Sequence, residues 1–209
     1  MAAAVALAVI VGDFLLVWRG DHSYIGRRVL LPSVALITYL VLGGGDLATP
    51  GLVLRFRHSL RYWIKATMTI GLAVSLCLAV TALAFVGLGA EIPIHGLPLS
   101  LVPTAFVRMC VLAPIVEEAT YRLTLCTAAV SILSARQTIV LSGVLFALLH
   151  VLYGNPGADN VVAGFFLAWA YLKSGSILVP ILLHAFGNFC VLISWIAIWY
   201  GRTYWWLAG

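Results

Sequence analysis

The sequence predicts an all-α, polytopic helical membrane protein, with seven or eight transmembrane helices around an intramembrane polar site. The 209 residues are 63% hydrophobic and only 9% charged, whereas soluble domains hold roughly 45–50% apolar and about 25% charged residues. The apolar residues form long continuous runs, and about 20 such residues span a bilayer as a helix. A transmembrane barrel would instead show shorter segments of alternating hydrophobicity.

Seven apolar segments are candidate spans. The first is interpreted as a membrane helix and not as a removed signal peptide, because no basic segment precedes it and no small-residue cleavage site follows it. In the fourth, Pro103 and Pro114 predict a kinked helix or two helices that meet near Pro114. The last is one helix or two short ones broken near Gly187, which leaves the count at seven or eight. The candidates are 2–18, 29–43, 62–89, 99–131, 137–152, 158–173 and 177–200.

The net charge of +5 comes mostly from bases expected in loops, such as Arg19, Arg27, Arg28, Arg55, Arg57, Arg61 and Lys65. Basic loops of membrane proteins are topology signals. These bases are interleaved with apolar residues, which argues against a nucleic-acid partner. Four cysteines lie in apolar runs without a C-x-x-C pair, so no zinc knuckle or redox motif is indicated. They are Cys77, Cys110, Cys126 and Cys190.

Eight polar or charged residues of the predicted spans are candidates for a position at membrane depth: Asp13, Arg108, Glu117, Glu118, Arg122, His150, His184 and Asn188. A charged side chain at membrane depth costs at least ~2.5–3.5 kcal/mol on insertion scales, so such residues indicate functional sites. Asp13 has no partner in sequence and would bind a neighbouring helix or bias topology. Arg108 would pair with a carboxylate or extend its side chain to the interface.

The adjacent glutamates are predicted to have different roles. Glu118 and Arg122 are four residues apart, so they share a helix face and can neutralise each other. Glu117 is rotated by about 100° from that face, which makes it the unpaired carboxylate. Desolvation disfavours the ionised form of such a carboxylate, a property that suits a general base working near neutral pH.

Two histidines and an amide complete the set. His150 closes the fifth span, and His184 and Asn188 share a helix face by the same four-residue spacing. Taken singly, His150 also fits an interfacial residue, and His184 with Asn188 fits interhelical hydrogen bonding. Their joint occurrence with two acids on three spans favours a functional site.

At these residues the chain resembles the CPBP family, the glutamic-type intramembrane proteases that include CAAX proteases and bacteriocin-processing enzymes. The family pattern is E-E-x-x-x-R, F-x-x-x-H and H-x-x-x-[N/D] on successive helices. Here the three motifs are 117–122, 146–150 and 184–188, in order and without departure at the signature positions. The resemblance covers about 100–200. We expect one membrane domain, with N-terminal transmembrane helices in 1–98 and the catalytic core in 99–200.

The resemblance implies an endopeptidase that needs neither cofactor nor metal. Glu117 and His150 would activate a water for attack on a peptide carbonyl near the C-terminus of the substrate. His184 and Asn188 would hydrogen-bond the oxyanion of the tetrahedral intermediate. Glu118 and Arg122 would fix the geometry of the site.

The implied partners are the lipid bilayer and a membrane-anchored protein or peptide substrate. Prenylated CAAX proteins, bacteriocin-type peptides and C-terminal sorting tails all remain open as substrates. The compact chain is similar to short bacterial sorting-type members, and its alanine-rich start favours a bacterial inner (cytoplasmic) membrane. The sequence does not indicate an oligomeric state.

Two other functions remain open. Two histidines and a glutamate are a known catalytic zinc set, although the chain lacks H-E-x-x-H and its two intramembrane histidines are 34 residues apart. A zinc-dependent membrane protease would lose activity to a chelator. A non-enzymatic membrane immunity or scaffold protein would use the same polar cluster for packing or partner binding, and would yield no proteolytic product.

Overall fold

The computed structural model describes residues 1–47, 51–53, 55, 57–89 and 96–207, with side chains up to residue 203. Regular structure in this part of the chain is helical throughout, without strands, which confirms the all-α class. Each of the seven candidate segments forms a helix. These are α1 Ala2–Trp18, α2 Arg27–Leu42, α3 Leu60–Gly87, α4 Leu99–Ala129, α5 Ala135–Leu152, α6 Ala158–Ser174 and α7 Leu178–Leu207.

Four of the helices in the described ranges, α3, α4, α5 and α7, are long and apolar enough to cross a membrane by length and composition. The helix α1 is apolar but shorter, and α2 and α6 have 16 and 17 residues. A span takes about 17–25 residues, so α1 and α6 lie at the short end of this range and α2 lies just below it. The predicted count of seven or eight spans is therefore not confirmed.

The fourth helix changes its winding along its length. Wider π-helical turns occupy Val107–Leu112 and Ala119–Cys126, and an α-helical stretch, Ala113–Glu118, lies between them. Pro114 stands at the start of that stretch, where a missing backbone N–H is tolerated. The two glutamates thus end a short α-helical stretch between two π segments, which occur often at functional sites.

The seventh helix runs unbroken from Leu178 to Leu207. The alternative of two short helices separated near Gly187 is therefore wrong. An added Cβ at Gly187 would meet no other atom within 4 Å, so no neighbouring backbone requires a glycine at this position.

The chain forms two compact units. The first consists of Met1–His58 and Leu112–His184, and the second of Ser59–Val111 and Ala185–Gly209. In the second unit, Leu72 and Leu83 on α3 are each 73% exposed. An apolar surface of this kind suits contact with lipid, whereas in water it would favour aggregation. Together with the four long apolar helices, it fits an integral membrane protein.

The first unit is built around a close contact between α5 and α6. A Cβ added to Gly164 would lie 2.8 Å from the carbonyl oxygen of Gly143, and one added to Gly143 would lie 2.7 Å from the ring of Phe165. Small residues of this kind let helices approach closely in membranes. The core beside this contact contains Ile10, Val17, Tyr121, Leu125, Phe146 and Leu149.

Candidate active site

Five of the six predicted site residues lie in the first unit, on three helices. The three predicted site residues of α4 are almost fully buried, with Glu117 at 1% exposure and both Glu118 and Arg122 at 0%. His150 lies near the end of α5 and His184 near the start of α7, and both are buried. Charges this deep need partners, so their contacts indicate which groups are structural and which are available for chemistry.

Glu118 is surrounded by partners. Its Oε2 lies 3.1 Å from Nε of Arg122, which is the ion pair that the four-residue spacing predicts. The two atoms are not aligned as a hydrogen bond, so their attraction is that of a close pair of charges. The Oε1 atom of Glu118 lies 2.8 Å from Nδ1 of His184. Both carboxylate oxygens are therefore in contact with nitrogen.

Arg122 is held in place from two further directions. Its Nη2 donates to the carbonyl oxygen of Gly164 at 3.0 Å, which the close approach of α5 and α6 places within reach. Its guanidinium carbon lies 4.6 Å from the ring centroid of Phe146, a cation–π contact. These contacts make Glu118 and Arg122 a fixed element of the fold.

Glu117 has a different environment. Its Oε1 accepts a hydrogen bond from the hydroxyl of Tyr24 at 2.7 Å, whereas no described protein atom hydrogen-bonds its Oε2. The nearest basic nitrogen is Nε2 of His184, 3.9 Å from Oε2, which is too far for a hydrogen bond. One oxygen of a buried carboxylate therefore keeps unused capacity to accept a hydrogen bond.

His184 connects the two glutamates. Because an ionised carboxylate only accepts, the 2.8 Å contact with Glu118 assigns a proton to Nδ1 of His184. In the neutral ring Nε2 then carries a lone pair and faces Glu117. Donation from Nε2 to an oxyanion requires the doubly protonated ring.

His150 also has its Nδ1 engaged. That nitrogen lies 2.9 Å from the carbonyl oxygen of Phe146, which can only accept, so Nδ1 is assigned the proton and Nε2 is the basic atom. The ring of Phe146 lies 4.5 Å from the ring of His150 and 5.8 Å from that of His184, measured between centroids. Phe146 thus packs against both histidines, and no direct hydrogen bond between His150 and Glu117 is present among these described contacts.

Asn188 belongs to the second unit. Its Nδ2 donates to the carbonyl oxygen of Met109 at 2.6 Å, within the π-helical stretch Val107–Leu112. One amide N–H of Asn188 is thus used locally. Arg108 in the same stretch is exposed, which fits the predicted extension toward an interface better than a buried pair.

A second buried ion pair, Asp13–Arg28, was not predicted from the sequence. Arg28 was expected in a loop, but it lies in α2 and is completely buried. Its Nε and Nη2 donate to Asp13 at 2.6 and 3.2 Å, and the hydroxyl of Tyr121 donates to the same carboxylate at 3.3 Å. The available signal was one acid and one base at facing ends of the first two predicted spans.

Two tyrosines outside the helices complete this second cluster. The guanidinium carbon of Arg28 lies 5.1 Å from the ring centroid of Tyr24 and 5.2 Å from that of Tyr153. Burial, followed by the negative charge of Glu117, raises the pKa of both Tyr24 and Tyr153. The hydroxyl of Tyr24 therefore stays protonated and can donate to Glu117 at any ordinary pH. No sequence pattern pointed to Tyr24.

The described residues contain no group of three or more histidine, cysteine, aspartate or glutamate side chains arranged to hold a metal ion. What the arrangement offers chemically is a buried carboxylate with one oxygen available and two histidines with basic Nε2 atoms. Such groups can take and give protons around a polarised carbonyl.

Comparison with known proteins finds one family, which matches the segment that contains these residues. Residues 98–190 match the model of the Rce1-like family, described as type II CAAX prenyl endopeptidase Rce1-like. No curated protein and no solved structure matches. The matched segment contains all three motifs and every predicted site residue. The match thus confirms, over 98–190, the resemblance of this chain to the CPBP family of membrane endopeptidases.

Proposed function

We propose that the protein is a glutamic-type intramembrane endopeptidase that cleaves membrane-anchored proteins or peptides near their C-termini. The observation that carries this proposal is the asymmetry of the two glutamates. Each oxygen of Glu118 lies within 3.1 Å of a basic nitrogen of Arg122 or His184. Glu117 instead accepts a hydrogen bond from a tyrosine hydroxyl, and its Oε2 is 3.9 Å from the nearest basic nitrogen among the described residues. A carboxylate held in this way suits proton transfer better than structural pairing.

In the proposed mechanism, Oε2 of Glu117 accepts a proton from a water molecule as the water oxygen attacks the scissile carbonyl carbon. His150 assists through its Nε2, either as a second acceptor or through an intervening water. The C–N bond then breaks, the proton passes to the leaving amine, and the products are a carboxylate and an amine. General acid–base catalysis of this kind typically contributes about 10²–10⁴-fold in rate.

His184 and Asn188 would stabilise the oxyanion. For His184 this requires protonation at both nitrogens, and its contact with the negatively charged Glu118 is compatible with that state. Asn188 would donate through the N–H that does not bond Met109. Glu118 and Arg122 would hold His184 in place.

The proposal also includes the division of the chain, the number of spans, the location and the substrate. The helices of 1–98 would be N-terminal transmembrane helices and 99–200 the catalytic core, with seven or eight spans in total. The location would be a bacterial inner membrane. The substrate would be a prenylated CAAX protein, a bacteriocin-type peptide or a C-terminal sorting tail.

The test compares the native C-termini of membrane proteins in cells that express wild type, Glu117→Gln or Asp159→Asn at equal abundance. Asp159→Asn is the matched control, because it also removes one carboxylate charge but lies at the first turn of α6, outside the cluster. We expect a defined set of proteins to keep their C-terminal tails only with Glu117→Gln. Unchanged C-termini with all three variants would contradict the proposal and favour a binding or immunity role.

A further inference from the structure

The segment between α1 and α2 reaches the active site through one side chain. Tyr24 is 93 residues from Glu117 in sequence, yet its hydroxyl donates to Oε1 of Glu117 at 2.7 Å. That distance is typical of the short, strong hydrogen bonds that hydroxyl groups make to carboxylates. Tyr24 lies outside the matched family segment of 98–190.

The ring of Tyr24 has a fixed support. It packs on the guanidinium group of Arg28, which is anchored by two hydrogen bonds to Asp13. Both charged groups are completely buried, so their separation would be costly. The buried ion pair therefore gives Tyr24 a rigid base from which to contact Glu117.

The contact distinguishes the two oxygens of Glu117. Tyr24 occupies Oε1, so Oε2, which has no hydrogen bond from the described protein atoms, is the oxygen left for proton transfer. A hydrogen bond to an ionised carboxylate also favours the ionised form, which is the form that can act as a base. The other titratable or charged groups that face Glu117 are Asp13, Arg28, Tyr121, Tyr153 and His184.

We propose that Tyr24 is a positioning residue of the active site, which holds Oε1 of Glu117 by a hydrogen bond so that Oε2 faces the scissile bond. This inference rests on the proposed function for its catalytic meaning. The Tyr24–Glu117 contact itself can be tested without any substrate.

The first measurement is an infrared pH titration of the full chain in detergent. The carboxyl band of Glu117 is the one that Glu117→Gln removes. In Tyr24→Phe the ionised carboxylate loses a hydrogen bond, so we expect protonation of this band to begin about one pH unit higher, the order expected for a hydrogen bond to a charged group. Tyr39→Phe is the matched control, since among the described residues the hydroxyl of Tyr39 bonds the backbone carbonyls of Ala2 and Thr124.

A second variant covers the case in which Tyr24→Phe does not fold. Replacing Tyr24 by a ring-fluorinated tyrosine keeps the hydroxyl and makes it a stronger donor. We expect the band to protonate at lower pH than in wild type, the opposite direction from Tyr24→Phe. Superimposable titrations of wild type and the fluorinated variant would overturn the inference.

The second measurement follows cleavage of a fluorogenic peptide copied from a tail that accumulates with Glu117→Gln. The acidic limb of the kcat/KM profile should move to higher pH in Tyr24→Phe by the same amount, with rates approaching wild type at high pH. If wild type cleaves, Glu117→Gln does not, and Tyr24→Phe follows the wild-type profile, the positioning role fails and the proposed function stands. If no tail accumulates in cells that express Glu117→Gln, the proposed function fails, while the infrared titration still decides whether Tyr24 controls Glu117.

Discussion

Two buried ion pairs lie in the first unit, and they are built in different ways. Glu118 and Arg122 belong to one helix and lie 3.1 Å apart. Asp13 and Arg28 belong to two helices and approach to 2.6 Å. The first pair contacts His184, which faces Glu117, and the second supports Tyr24, which bonds Glu117. Glu117 therefore has a neighbour supported by each pair, Tyr24 and His184, and forms an ion pair with neither arginine.

The largest effect is expected when the two adjacent glutamates are exchanged one at a time for glutamine. Glu117→Gln should lower kcat by about 10²–10⁴-fold, because a general base is lost, and should leave the unfolding midpoint near that of wild type. Glu118→Gln should lower the unfolding midpoint strongly, because Arg122 would remain as a buried charge without its partner. Measuring kcat and the unfolding midpoint of each purified variant checks both expectations. An equal loss of stability in the two variants would contradict the proposed distinction between a catalytic Glu117 and a structural Glu118.

The second prediction removes the Asp13–Arg28 pair in steps. Either Asp13→Leu or Arg28→Met should destabilise the protein by about 3–5 kcal/mol, because each leaves one uncompensated buried charge. The double variant should recover most of that loss, less the cost of leaving the Tyr121 hydroxyl without its acceptor. Denaturant unfolding in mixed micelles measures the three variants. Additive losses in the double variant would show that the two residues do not act as a pair.

The two pairs also show how far sequence reasoning reaches. Glu118 and Arg122 could be paired from spacing alone, since residues four apart on a helix must be neighbours. Asp13 and Arg28 could not, because their contact depends on how α1 packs against α2. Arg28 was therefore assigned to a loop, and Tyr24 had no pattern that marked it. The helical class followed from composition, because long apolar runs admit few alternatives to helices in a membrane.

Irregular turns, breaks and close contacts within the helices were predicted less well than the helices themselves. Pro114 predicted a kink or a break in α4, which stays a prediction; the two π-helical stretches that flank its α-helical segment have no simple sequence signature. Gly187 suggested a break in α7 that the structure does not have. The glycine residues that matter for packing are Gly143 and Gly164, whose role appears only when α5 and α6 are brought together.

The third prediction tests the support of the Glu118–Arg122 pair. Gly164→Ala should destabilise the protein by about 1–3 kcal/mol, because the new methyl group would meet the carbonyl oxygen of Gly143 and displace the one that Arg122 binds. Gly187→Ala is the control, because its methyl group meets no other atom and alanine is the better helix former by about 0.5–1 kcal/mol. We expect the unfolding midpoint to fall in Gly164→Ala and to rise in Gly187→Ala. A stable Gly164→Ala variant would contradict the close packing.

The smallest effect is expected from a metal chelator. In the proposed mechanism Glu117 and His150 act on water directly, and Nδ1 of His184 is already engaged by Glu118, so none of these groups needs a metal ion to be held in place. Cleavage of the reporter peptide should be unchanged after chelation, and purified protein should contain zinc well below one atom per chain. Stoichiometric zinc, with activity lost on chelation and restored by zinc, would favour the zinc-dependent protease. In that case the two ion pairs would position a metal site and not a free carboxylate. The different environments of Glu117 and Glu118 would then reflect the geometry of metal ligands and not proton transfer.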